Sequence, residues 1–147
     1  MKFKLLMENW RKFVIKESDY HMSHRPPSPE YGAPIYDITL NGIYPKDVYS
    51  PKGRNWYGVG DGSDKAAWDK VHNLKNKPNK FVKIYRAVPK NIHSINSGDW
   101  VTIDKQYAIN HGEGMREGYK ILETKVLAKR LFTSGDSILE WGYWHNG

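Results

Sequence analysis

Phe81-Val82-Lys83-Ile84-Tyr85-Arg86-Ala87-Val88 is the stretch on which the fold turns. Branched and aromatic residues fill the run, Lys83 and Arg86 interrupt it, and Pro89 closes it, so the stretch reads as a half-buried strand. Ser97-Gly98 then turns the chain into a second strand, Asp99-Trp100-Val101-Thr102-Ile103. Tyr119 to Val126 reads as another strand. Leu131-Phe132 runs into the turn Ser134-Gly135-Asp136, and Ile138 to Trp144 reads as the last strand. Between these, Lys105 to His111 has the length of one short helix, stopped by Gly112 and Gly114.

Upstream, helical and irregular segments take over. Ser63 is a natural N-cap for a helix running to about Leu74, with Ala66, Ala67, Val71 and Leu74 inward. Lys75 to Lys80, containing Pro78, ends it. Gly53 to Gly62 holds four glycines and reads as a loop, and Ile35 to Tyr49 is aromatic and irregular. Residues 18–34 carry Pro26, Pro27, Pro29 and Pro34, which deny a helix its hydrogen bonds and mark a proline-rich strap. Residues 1–17 place Leu6, Trp10, Phe13 and Val14 on one stripe of an amphipathic helix. The expected organisation is thus a helix (1–17), a strap (18–34) and one domain (35–147). Its class is α+β, with a helical front half and a largely antiparallel sheet behind it.

Composition narrows the chemistry. The 147 residues include 23 Lys and Arg against 16 Asp and Glu, a formal charge of +7. Such a length suits one domain that buries about two-thirds of its unfolded surface. The absence of cysteine excludes a thiol nucleophile, a disulfide framework and a zinc ribbon. Leu5-Leu6-Met7 is too short an apolar core for a signal peptide, and a soluble, intracellular protein with no membrane partner is expected. No P-loop, dinucleotide fingerprint or nucleophile elbow occurs. His21 and His24 lack an evident third ligand, so no metal is expected. Between Asp69 and Asp99 there is no acidic residue, while Lys70, Lys75, Lys77, Lys80, Lys83, Arg86 and Lys90 fall there. That run is either a solvated lysine face or a field that attracts phosphates.

Three polar residues interrupt apolar strands: Arg86 after Tyr85, Thr102 after Val101, and Glu140 between Leu139 and Trp141. A carboxylate in such company either points outward or sits in a cleft beside a cation. In this order the three resemble the Arg–Ser/Thr–Glu set of mono-ADP-ribosyltransferases. Tyr85-Arg86-Ala87-Val88-Pro89, Gly98-Asp99-Trp100-Val101-Thr102, Tyr107-Ala108 with His111-Gly112, and Ser137 to Tyr143 resemble segments of phage-encoded members. Ala33 to Asp37 and Tyr44 to Tyr49 belong to the same likeness, which spans roughly residues 24–143.

The resemblance implies a split antiparallel β-sheet core and NAD as substrate, with no metal. Glu140 would stabilise the oxocarbenium-like ribose as nicotinamide leaves, and Thr102 would orient it. Arg86, beside Tyr85, would hold the pyrophosphate, for which a guanidinium fork is better suited than an ammonium. Trp100, Tyr107 and Trp141 would supply an aromatic wall for nicotinamide. Arginine-modifying members carry Glu or Gln two residues before the catalytic Glu; Ile138 stands there, which implies another protein, nucleic-acid or water acceptor. A host-cytoplasmic or virion-associated location follows from the same likeness. Two other readings compete: an inactive virion or assembly protein docking on a phage partner through residues 1–17, and a nucleic-acid-binding module using the basic run around residues 70–90.

Overall fold

The computed structural model describes residues 26–58 and 63–145. The helix expected at 1–17, the first part of the strap, and His21 and His24 lie outside the described residues. Two long strands, β2 (Phe81–Val88) and β4 (Lys120–Leu127), pair antiparallel along their whole length, from Phe81 opposite Leu127 to Val88 opposite Lys120. Their even-numbered row, Val82, Ile84 and Val126, faces the core, as the alternation requires. A second antiparallel sheet runs in the order β1 (Ala33–Pro34), β5 (Leu131–Thr133), β6 (Trp141–Tyr143), β3 (Asp99–Val101). The architecture is therefore α+β with two antiparallel sheets.

Among the described residues one backbone-bonded pair bridges β2 to the end of β3. Tyr85 and Thr102 exchange both backbone hydrogen bonds, at 2.8 and 2.9 Å. Beyond that pair β2 runs on beside β4, whereas β3 runs on beside β6. The cleavage of one ladder into two is the main shape-giving feature of the chain.

Three helices flank the sheets: α1 (Gly53–Tyr57), α2 (Lys65–Asn73) and α3 (Lys105–Gly112). The stretch expected as a glycine-rich loop thus begins with a helical turn. In α2 the inward residues are Ala67, Trp68 and Val71, with Leu74 after them; Ala66 is exposed, contrary to expectation. The N-cap is Asp64 rather than Ser63, and its carboxylate accepts the buried indole N–H of Trp68 at 3.0 Å. Trp68 takes the inward place expected of Ala66. Lys70 donates to the carbonyl of Ile103 at 2.6 Å and ties α2 to the segment that follows β3. His72 contacts the Val48 carbonyl, and Tyr49 accepts the Ile38 N–H at 2.9 Å; burial pushes the Tyr49 phenol pKa up from its ordinary value.

The strap joins the sheet. Ala33 and Pro34 pair with Thr133 and Phe132. An edge position tolerates the missing proline N–H. Pro26 and Pro27 lie over Gly142, and the Trp144 indole donates to the Pro27 carbonyl at 2.5 Å. A Cβ on Gly142 would stand 2.5 Å from that carbonyl and 2.9 Å from the Pro26 side chain. Gly142→Ala is expected to lower stability by about 1–3 kcal/mol through overpacking, read as a lower denaturant midpoint. An unchanged midpoint would show that residues 26–27 lift away freely.

Candidate functional site

Local chemistry places each polar residue of the site. Gly98 turns the chain into β3 at a φ of 91°, which favours glycine. At the far end of β3, the Thr102 hydroxyl accepts the Asp104 N–H at 3.2 Å. Asp104 then caps α3, its carboxylate accepting the N–H groups of Gln106 at 2.9 Å and Tyr107 at 3.2 Å. That cap fixes the first turn of α3, and from it the Tyr107 hydroxyl donates to the Glu140 carboxylate at 2.6 Å. A bond this short to a carboxylate is of the strong, charge-assisted kind.

Glu140 does not stand within a strand. The strand expected from Ile138 begins only at Trp141. Ser137 makes the difference: its hydroxyl accepts the Leu139 N–H at 3.1 Å and its carbonyl accepts the Glu140 N–H at 3.4 Å, which closes a turn. Glu140 therefore leaves the turn just before β6, half-buried, at the end of the β3–β6 pair.

Arg86 occupies the fork between the sheets. The backbone of Thr102 points at β2, so two residues back the Trp100 carbonyl points the same way. Arg86 donates Nη1–H to that carbonyl at 2.6 Å. Its Nε stands 3.8 Å from the carboxylate of Asp99, the acidic residue that ends the acid-free run. The side chain thus takes the place of a ladder bond where β2 and β3 diverge, with a third of its surface open to solvent. Other cations of the run are spread over separate elements: Lys75 covers the Tyr49 ring at 4.4 Å, and Lys83 stands 3.6 Å from Glu123.

The structure therefore brings Tyr107 to Glu140, Arg86 to Trp100 and Asp99, and Tyr85 to Thr102. β3 lies between Arg86 and Glu140, carrying the Trp100 carbonyl that Arg86 meets and pairing with β6, which follows Glu140. Trp141 is fully buried, its indole donating to the Ile138 carbonyl at 2.7 Å, so it is a core residue and no wall for a ligand. Tyr85 and Thr102 are buried as well, at 8 and 4 % exposure. Trp100 and Tyr107 keep partial exposure. Two partners escape sequence reasoning, Asp99 for Arg86 and Tyr107 for Glu140; the spacing Asp104-x-x-Tyr107 at a helix start is the one signal that could locate the second.

A wide, open groove of about 420 Å³ lies along β4. Its walls include His93, Ile95, Leu122, Thr124, Lys125 and Tyr143. Leu122 stands opposite Arg86 in the β2–β4 pair, and Tyr143 opposite Asp99 in the β3–β6 pair. The groove is thus one strand position away from Arg86 and Asp99, and its lining includes neither that pair nor Tyr107 and Glu140. Among the described residues no group of three metal-ligating side chains occurs, and no helix is long and apolar enough to cross a membrane.

Tyr107→Phe removes the phenol that holds Glu140 and is expected to leave the fold intact. A lost hydrogen bond to a charged group is worth about 1.5–3 kcal/mol. Any reaction that uses Glu140 should slow by about tenfold or more, with a thermal midpoint within a few degrees of the parent. An unchanged rate would show that the carboxylate needs no such support.

No known protein family, curated protein or solved structure matches the chain.

Proposed function

We propose that the chain is an NAD-dependent mono-ADP-ribosyltransferase with an ADP-ribosyltransferase-like split-sheet core, phage-encoded and acting in the host cytoplasm. The observation that carries this reading is a carboxylate, Glu140, gripped by a tyrosine at the end of one sheet while an arginine fills the fork with the other. In this reading NAD lies across the fork. Arg86 has five N–H donors, and with Nη1 on Trp100 and Nε facing Asp99 its Nη2 edge is directed to the pyrophosphate. Trp100 and Tyr107 flank the nicotinamide.

The bond from ribose C1′ to the nicotinamide nitrogen breaks, and its electron pair leaves with nicotinamide. Positive charge develops on the ribose, and Glu140, oriented by Tyr107, stabilises it there. A nucleophile on the acceptor then bonds to C1′ and gives up its proton. Ile138 is in the core and offers no polar group two residues before Glu140, which favours water, nucleic acid or a non-arginine side chain as acceptor.

Arg86→Lys tests the binding half. It keeps the charge but loses the planar fork, so KM for NAD should rise by about tenfold with kcat less affected. An equal KM would remove Arg86 from the NAD site.

A further inference from the structure

The free edge of β4 is patterned to pair with itself, and we propose that two copies of the chain associate through antiparallel β4 edges in a single register. The backbone groups of Tyr85 point to Thr102, so those of Ile84 and Arg86 point to β4. Their opposite numbers, Thr124 and Leu122, point back into the sheet. The Ala128 N–H bond to the Lys80 carbonyl continues the same phase. Ile121, Glu123 and Lys125 must therefore direct their N–H and C=O groups out of the sheet. Among the described residues β4 has no second neighbour: its sheet has two strands. A run of this length with unpaired backbone groups is a template for another strand.

The side chains say which strand. Natural edges are often blunted by lysines, which repel a second copy. Here Lys120-Ile121-Leu122-Glu123-Thr124-Lys125-Val126-Leu127 sets an acid two residues before a base. Centre a two-fold axis on Thr124, and the outward-bonding residues meet as Glu123 opposite Lys125 of the second copy, twice. Thr124 then meets Thr124, Leu122 meets Val126, and Ile121 meets Leu127, so the apolar, hydroxyl and opposite-charge pairs are all ones that stabilise cross-strand contacts. A shift of the centre to Glu123 would set Glu123 against Glu123, and a shift to Lys125 would set like lysines together.

Within one chain Lys125 stands directly opposite Lys83, an unfavourable neighbour. Glu123 of the second copy would supply the opposite charge that Lys125 lacks across β2. Glu123, Thr124 and Lys125 are exposed, and Phe81, opposite Leu127 on β2, is 64 % exposed, so the edge is accessible.

Sedimentation equilibrium of the full chain tests the pairing, with circular dichroism as the check on folding. The parent should dimerise. Glu123→Lys and Lys125→Glu should each weaken the dimer by about tenfold or more, because each turns both charge pairs into like pairs. The double variant restores both pairs with the charges exchanged and should dimerise like the parent. Amide exchange at Ile121, Glu123 and Lys125 should slow with rising protein concentration. A parent that stays monomeric, single variants that dimerise like the parent, or a double variant no better than the singles would each overturn the proposal.

Discussion

Glu140→Gln is expected to reduce nicotinamide release from NAD by about 10²–10³-fold, the loss typical of removing one transition-state stabiliser. The substitution is nearly isosteric. Its amide oxygen still accepts the Tyr107 hydroxyl, so the turn from Ser137 to Glu140 and the start of β6 should persist. What disappears is the negative charge, needed only while the ribose is positive. The loss should thus fall on kcat, with KM for NAD little changed. Comparing initial rates and thermal midpoints of the two proteins checks both halves. Equal rates would remove Glu140 from the chemistry and leave the Tyr107–Glu140 pair a structural contact.

Trp141→Ala should be the most destabilising single change near the site, at about 3–5 kcal/mol. The indole is fully buried and its N–H satisfies the Ile138 carbonyl, so truncation leaves both a cavity and an unpaired acceptor. Trp141 also pairs with Val101 across β3–β6 and is the residue after Glu140. Its loss should loosen the strand end that presents the carboxylate. Denaturant unfolding measures the effect; a loss below about 1 kcal/mol would show that the core closes over the gap.

The long strands are legible because β2 and β4 each run eight residues, rich in branched and long apolar side chains and free of glycine and proline. β1 and β5 span two and three residues, too few to show any period; β1 forms where the strap folds back on Phe132 and Thr133, and β5 where it pairs with β1 and β6. Glu140 looked like a strand residue because apolar neighbours flank it. The Ser137 side chain decides otherwise, by bonding a backbone N–H two residues on. The capped helix at Lys105 was readable, yet its consequence was not. That Tyr107 meets a carboxylate 33 residues away depends on how α3 lies against the sheets. The end of the acid-free run at Asp99 was visible, but its pairing with Arg86 follows from the fork between β2 and β3, which no local pattern encodes.

The fork also shapes what a substrate must do. In the proposed reading, a pyrophosphate approaching Arg86 competes for the guanidinium with Asp99, 3.8 Å away. Replacing Asp99 by Asn removes that competitor and should lower KM for NAD by several-fold, with the Asn96 N–H still able to reach the side-chain oxygen it now meets at 2.7 Å. A higher KM would mean that Asp99 positions Arg86 for the substrate instead.

The central claim is that this chain breaks the bond between nicotinamide and ribose. Purified full-length protein incubated with NAD labelled in the nicotinamide ring, with and without protein and nucleic-acid acceptors, measures it directly. Free nicotinamide in molar excess over protein is expected, formed about 10²–10³-fold more slowly by Glu140→Gln. Label that stays in NAD under every acceptor condition, with the protein folded, would contradict it.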